Sequence, residues 1–335
     1  MRPPLILLFN PSYDRFPDAG SLACRLPCEF TQDRARMAEA DALIIHLPGC
    51  DRLWEARKYP GQLWVAWCRE SDVTIPSLSR AGFMRHFDLT MTYRREADIW
   101  WPYIPAAETL LAPPQAKTEA APAVLFQSQN YDRSGRNAFA GELARHLRID
   151  SYGRYLNNRK LAGDDGSPEA KLAVLARYKF TLAFENSRSP DYVTEKFFHP
   201  LMAGSVPVYR GAPNVADFAP GEKCFINADD FSGPAALAAH LNALAGDEQA
   251  YGEYHAWRRS GFRPGFAAML ERIAENPFCR LAAAISEHRG RRVDASSAGG
   301  FRRPFRLRGF VPDGVLKSLA LRRWWERRER AGRER

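Results

Sequence analysis

Between Tyr178 and Pro220 the chain sets an acidic and a basic side chain, Glu195 and Lys196, just behind a polar stretch that follows an apolar run. The run Phe180–Phe184 (FTLAF) reads as a buried strand; Glu185, Asn186 and Ser187 follow it directly, and Arg188–Asp191 form a short loop leading to Tyr192 and a helix across Thr194–Ala203. Polar residues at the carboxyl end of a parallel strand, ahead of a helix N-terminus, form the usual seat of a nucleotide. First-turn amides and the helix dipole favour an anion there, and Lys196 adds a full positive charge. Glu195 beside it is of the type that hydrogen-bonds ribose hydroxyls. Taken alone, a Glu-Lys pair at a helix start reads as solvated surface charge, so its neighbours carry the weight.

The elements that must position these residues alternate regularly. Leu5–Phe9, Ala42–His46, Leu63–Trp67 and Asp88–Thr92 read as buried strands, with Thr31–Ala40 and Asp51–Arg57 helical between them. The segment 112–123 (APPQAKTEAAPA) has three prolines and no large apolar side chain, which predicts an interdomain linker. A second alternation follows: strands Val124–Gln127, Ile149–Tyr152, Phe180–Phe184, Val206–Tyr209 and Cys224–Ile226, and helices Arg136–His146, Glu169–Tyr178, Thr194–Ala203 and Pro234–Ala245. Alternating strands and helices indicate parallel sheets with helices on their faces. The expected organisation is a first Rossmann-like domain over 1–111, a linker over 112–123, a second over 124–290, and a flexible segment with a tail over 291–335. A two-domain dehydrogenase would alternate in the same way, but no G-x-G-x-x-G opens either half.

The segment FENSRSPDYVTEKFFHPLMAGSVPVYRGAPNV, residues 184–215, resembles the signature of the GT10 family of α1,3/4-fucosyltransferases, most closely its core-type α1,3 branch. Asp150–Asn157 (DSYGRYLN), Asp41–His46 (DALIIH) and the run from Trp64 to Pro102 resemble the family in the same order, so the likeness spans roughly residues 40 to 280. The resemblance implies an α/β fold of the GT-B type, two Rossmann-like domains facing across a cleft, with GDP-fucose as donor bound by the second domain and a glycan acceptor, lipid-linked or an oligosaccharide, bound chiefly by the first. It implies Glu70 as general base, Arg136 on the diphosphate, and Asn186, Tyr192, Glu195 and Lys196 as donor-site residues, with Glu195 on ribose and Lys196 on phosphate. The implied reaction is an inverting transfer of L-fucose to a hydroxyl of GlcNAc or Glc, O3 being the expected position. No D-x-D occurs in the chain, which suits a reaction without a bound metal or other cofactor. Two alternatives keep the scaffold: transfer of another GDP-deoxysugar, or a non-catalytic sugar-binding protein at a membrane surface.

The net charge of +9 would suggest nucleic acid if it were spread over the chain. From Phe301 onward, however, there are 12 Lys/Arg against 4 Asp/Glu, so the body is close to neutral and the basic character belongs to the tail. Arginines mixed with Phe301, Phe305, Phe310, Trp324 and Trp325 suit an anionic membrane surface, and no nucleic-acid partner is expected. His46 and His199 read as packing residues, and half or more of Trp64, Trp67, Trp100 and Trp101 as core. The six cysteines show no CxxC pair or zinc spacing and read as scattered thiols of a reducing compartment, although Cys24 and Cys28 could pair. Leu5–Phe9 is shorter than a signal-peptide core, and no run reaches the length of a membrane span. The expected location is cytoplasmic, peripheral on the inner face of the plasma membrane.

Overall fold

The computed structural model describes residues 2–10, 24–49, 53–161 and 167–294. The basic aromatic tail lies outside the described residues. Among the described residues two compact units form: one from those of 2–101 together with 273–294, the other from those of 102–272.

The first unit holds six parallel strands, β1 Leu5–Leu8, β2 Glu29–Thr31, β3 Ala42–His46, β4 Leu63–Cys68, β5 Leu89–Thr92 and β6 Ile99–Trp100, in the order β2-β1-β3-β4-β5-β6. Every residue of β1, β3 and β4 is buried, as continuous apolar runs require when both faces of a parallel sheet are covered. The short α1 Ala81–Met84 covers one face and the long α10 Pro277–Asp294 the other, where Phe278, Leu281, Ala282 and Ile285 pack on Ile6, Ile44, Val65 and Met91. Arg280 Nη2 donates to the Trp100 carbonyl at 2.8 Å, and Phe278 meets the stacked rings of Trp67 and Trp101 edge-on.

The second unit holds β7 Ala123–Leu125, β8 Ile149–Ser151, β9 Phe180–Phe184, β10 Val206–Arg210 and β11 Ile226–Asn227, again all parallel, in the order β11-β10-β9-β7-β8. Its helices are α2 Ala107–Leu110, α3 Arg136–Leu143, α4 Pro168–Leu175, α5 Glu195–Ala203, α6 Pro234–Ala245, α7 Glu248–Glu253, α8 Trp257–Ser260 and α9 Pro264–Arg272. Leu237, Ala238 and Leu241 of α6 join Leu143 of α3 on one face of the sheet, while Val174 and Leu175 of α4 pack with Val124 and Tyr178.

Several expectations are corrected here. Thr31–Ala40 forms no α-helix but a strand end and a 3-10 turn at Arg34–Ala38, and only the turn Leu53–Glu55 is seen within 53–57. Neither segment has enough periodic apolar residues to be held down as a full helix. The domain limits also shift. Residues 273–290 belong to the first unit, because the apolar face of α10 covers that unit's sheet. Residues 112–123 are part of the second unit. Lys117 Nζ donates to the carbonyls of Ala176 and Gly204, and Arg258 donates to those of Ala112 and Leu201. The proline-rich segment is thus fastened to the C-terminal end of α5. Finally, Cys24 is disulfide-bonded to Cys279 of α10, with Cα atoms 5.0 Å apart, while Cys28, Cys68 and Cys224 are free. The cysteines therefore no longer argue for a reducing compartment. Among the described residues no helix is long and apolar enough to cross a membrane.

Gly204 closes α5 in the left-handed region at φ 72°, and a β-carbon there would lie 2.7 Å from Pro114. Gly204→Ala meets both the strained backbone and that contact. Its expected cost is about 2 kcal/mol or more, read as a Tm lower by roughly 4–8 °C in thermal melts. An unchanged Tm would show that the 112–118 segment is not held against α5.

Candidate active site

In the second unit the strand order reverses between β7 and β9. After β7 the chain adds β8 on one side, then returns to pair β9 on the other. Loops leaving the carboxyl ends of strands at such a point diverge, which makes room for a ligand. Here they are residues 126–135 after β7 and Glu185–Thr194 after β9.

Arg136, the first residue of α3, fastens these two loops together. Its Nη1 donates to the Phe184 carbonyl at 3.2 Å, and Nη2 to the carbonyls of Gln129 and Tyr131 at 2.9 and 3.0 Å. The side chain is almost wholly buried. The geometry gives it a loop-joining role, and its diphosphate role rests on the family resemblance. The amides that open α3 are occupied as well: Asp132 Oδ1 accepts from Ser134 N and Arg136 N, and Oδ2 from Asn137 N. Burial opposes ionisation of Asp132, but the hydrogen bonds from Asn137 and Ser134 outweigh it and hold its carboxyl below the usual range.

The start of α5 is built differently. Thr194 is the N-cap, its hydroxyl accepting from Lys196 N at 3.3 Å. Lys196 Nζ donates to Thr194 Oγ1 and to Glu195 Oε1, both at 3.1 Å, and lies 3.5 Å from Glu185 Oε2. Burial disfavours the Lys196 ammonium, but Glu185 and Glu195 more than offset it and raise its pKa, so the cation is secure. Burial likewise opposes the Glu195 carboxylate, and the charges of Lys196 and of Lys171 from α4 overcome it, bringing its pKa down to about 2. One turn on, His199 is pushed to about 4 by burial and by Lys171, so it is neutral at pH 7. Glu195 keeps 38% of its side chain exposed and Lys196 23%, which leaves both reachable by a ligand.

The loop between β9 and α5 is pinned from β10's side. Asp191 is left-handed at φ 65°, and Asn214 holds it by a reciprocal pair: Asp191 N donates to Asn214 Oδ1 and Asn214 Nδ2 to Asp191 Oδ1, each at 2.8 Å. Tyr192 is buried, with its ring edge-on to Tyr103 and its carbonyl accepting from the Tyr209 hydroxyl. Asn186 is half-buried; its Oδ1 accepts from the Ser187 hydroxyl and its carbonyl from Arg133 N. The structure thus gathers Arg136, Asn186, Tyr192, Glu195 and Lys196 beyond the carboxyl ends of β7 and β9. Sequence reasoning gave no role to Asp132, Lys171 and Asn214 and named Glu185 only among the polar residues after the strand; of the four, Glu185 and Asn214 stood inside the segment singled out for chemistry.

Glu70 belongs to the first unit. It lies two residues past the end of β4 and is partly exposed, and Arg69 beside it stands 4.8 Å over the Trp101 ring. Asp72, two residues further, accepts from Arg94, from the Tyr93 hydroxyl and from Ser79 at the wall of a cavity of about 400 Å³. Trp64, Trp67 and Trp100 are core, and Trp101 is half-buried.

Residues 1–104 match the family model for the fucosyltransferase N-terminal domain, and residues 115–297 the C-terminal model of glycosyltransferase family 10 (fucosyltransferase). The chain belongs to glycosyltransferase family 10. This family 10 chain is 36% identical over 213 residues to alpha-(1,3)-fucosyltransferase B of Drosophila melanogaster, covering 58% of itself and 48% of that protein. It is 37% identical over 195 residues to GDP-fucose protein O-fucosyltransferase 3 of Rattus norvegicus, covering 54% of itself and 39% of the relative. It therefore spans less than half the length of these curated relatives. Its fold is shared with a crystal structure of an alpha1,3-fucosyltransferase with GDP, at TM-score 0.54 and 18% identity, over 81% of this chain and 90% of that one. A structure of alpha1,3-fucosyltransferase with GDP-fucose aligns at TM-score 0.53 and 17% identity, over 81% and 89%. The α/β GT-B fold class, with two parallel Rossmann-like sheets, agrees with what the sequence implied.

Proposed function

We propose that this family 10 chain transfers L-fucose from GDP-β-L-fucose to a hydroxyl of a glycan acceptor, O3 of GlcNAc or Glc, with inversion at the anomeric carbon. The observation that carries this reading is the Lys196–Glu195 pair at the start of α5, with Lys196 backed by a buried carboxylate. An ammonium held at a helix N-terminus suits a diphosphate, and a neighbouring ionised carboxylate suits ribose hydroxyls. In the reaction Glu70 takes the proton of the attacking hydroxyl as the new bond to the anomeric carbon forms and the bond to the diphosphate breaks. Lys196 stabilises the negative charge gathering on the departing GDP.

A second reading is favoured by the O-fucosyltransferase names among the relatives: the acceptor is then a Ser or Thr hydroxyl of a polypeptide. A transfer assay with GDP-fucose against GlcNAc- and Glc-terminated glycans and Ser/Thr peptides, with linkage determined by NMR, separates the two. Absence of transfer to either class would remove both.

The donor reading has a simpler test in thermal melts. GDP at about 100 times its Kd is expected to stabilise the protein by roughly 2.7 kcal/mol, while UDP at the same concentration raises Tm far less. Equal shifts with the two nucleotides would remove the guanine preference, and no shift with millimolar GDP would remove the donor site.

A further inference from the structure

We infer that Glu185 is a positioning residue that holds the Lys196 ammonium in place for the donor's diphosphate, an inference that rests on the donor reading above. Glu185 is the first residue past β9, and its carboxylate is wholly buried. Its backbone is fixed on both sides: Glu185 N donates to the Arg210 carbonyl at 2.9 Å, and its own carbonyl accepts from the Ser134 hydroxyl at 2.6 Å. The chain leaves space for this side chain at Gly211, where a β-carbon would come within 2.5 Å of Glu185 Cγ. Oε1 accepts from Thr194 N at 2.8 Å and Oε2 from the Thr194 hydroxyl at 2.9 Å, with Lys196 Nζ 3.5 Å from Oε2.

A capping role alone would need only two acceptor atoms, and a glutamine or a water could help to supply them. The charge has a different use. Lys196 is shared between Glu185 and Glu195. If Glu195 turns to a ribose, it gives up the ammonium, and Glu185 is the carboxylate that stays with it. The other titratable groups facing this one are Glu195 and the neutral His199 of α5, Lys171 of α4 and Arg136 of α3, with the Tyr209 hydroxyl of β10 on the Glu185 side. Arg136 disfavours a second cation, and Lys171 also lies within electrostatic reach of Lys196. Without Glu185 the ammonium would stand among cations with only the half-buried Glu195 carboxylate to balance it.

GDP titration calorimetry on the full chain between pH 7.5 and 9.5 tests this. The wild type should lose GDP affinity over that range only as far as ionisation of the ligand's guanine N1–H requires, and the variants are read against it. Glu185→Gln should bind roughly tenfold or more weakly than wild type at pH 7.5 and fall further behind it toward pH 9.5, because Lys196 gives up its proton earlier. Glu185→Asp keeps the charge and should run parallel to the wild type at intermediate affinity. In a Lys196→Ala background the Glu185→Gln loss should vanish, since its target is gone. If Glu185→Gln fails to fold, the same cycle is run with Glu185→Asp, whose smaller loss should also vanish. A loss that persists undiminished in the Lys196→Ala background, or a Glu185→Gln profile parallel to the wild type, overturns the inference. Failure of the wild type to bind GDP overturns the donor reading instead.

Discussion

Replacing Lys196 by alanine is expected to weaken GDP binding roughly 10- to 100-fold and to lower turnover with GDP-fucose at least as much. Charge-assisted hydrogen bonds to a phosphate contribute about 1.5–3 kcal/mol, and a difference of 1.4 kcal/mol is about tenfold in affinity. The other cations near the site do not substitute for it. Arg136 has its Nη atoms on three carbonyls, and Lys171 is mostly buried on α4, where burial lowers its pKa. Calorimetry with GDP and initial rates with GDP-fucose check this. Affinity and rate both within twofold of wild type would assign the diphosphate to another part of the β7 and β9 loops.

Glu70→Gln is expected to lower kcat by about 10²- to 10⁴-fold while leaving GDP affinity within about twofold. The substitution keeps the shape and removes the proton acceptor. The two effects separate because Glu70 sits in the first unit, after β4, whereas the nucleotide cluster is built within the second. Single-turnover rates beside GDP calorimetry give the split. A variant that kept most of its kcat would move the search for the base to Asp72, the carboxylate at the cavity wall two residues on. A parallel fall in GDP affinity would instead mean that Glu70 serves the donor.

The sequence by itself determined the elements whose signals are local. Ala42–His46, Phe180–Phe184 and Pro234–Ala245 lie where their apolar runs or helical period put them. The start of α5 was legible for the same reason: Thr194, Glu195 and Lys196 are neighbours in the chain, and capping is a short-range effect. The 184–215 segment was enough to indicate the family that the matches show. What only the tertiary structure decided are contacts between residues far apart in the chain. Cys24 meets Cys279 across 255 residues, and α10 packs against β1, β3 and β4 although some two hundred residues separate them. Nothing in the composition or period of either segment specifies its partner, because the sheet order sets that distance. The fate of individual charges is decided in the same way. Arg136 reads in sequence as a cation available to phosphate, yet the divergence of the β7 and β9 loops surrounds it with carbonyls. Glu185 reads as one more polar residue in a loop, and it becomes a buried counter-charge only because Thr194, Lys196 and Gly211 close around it.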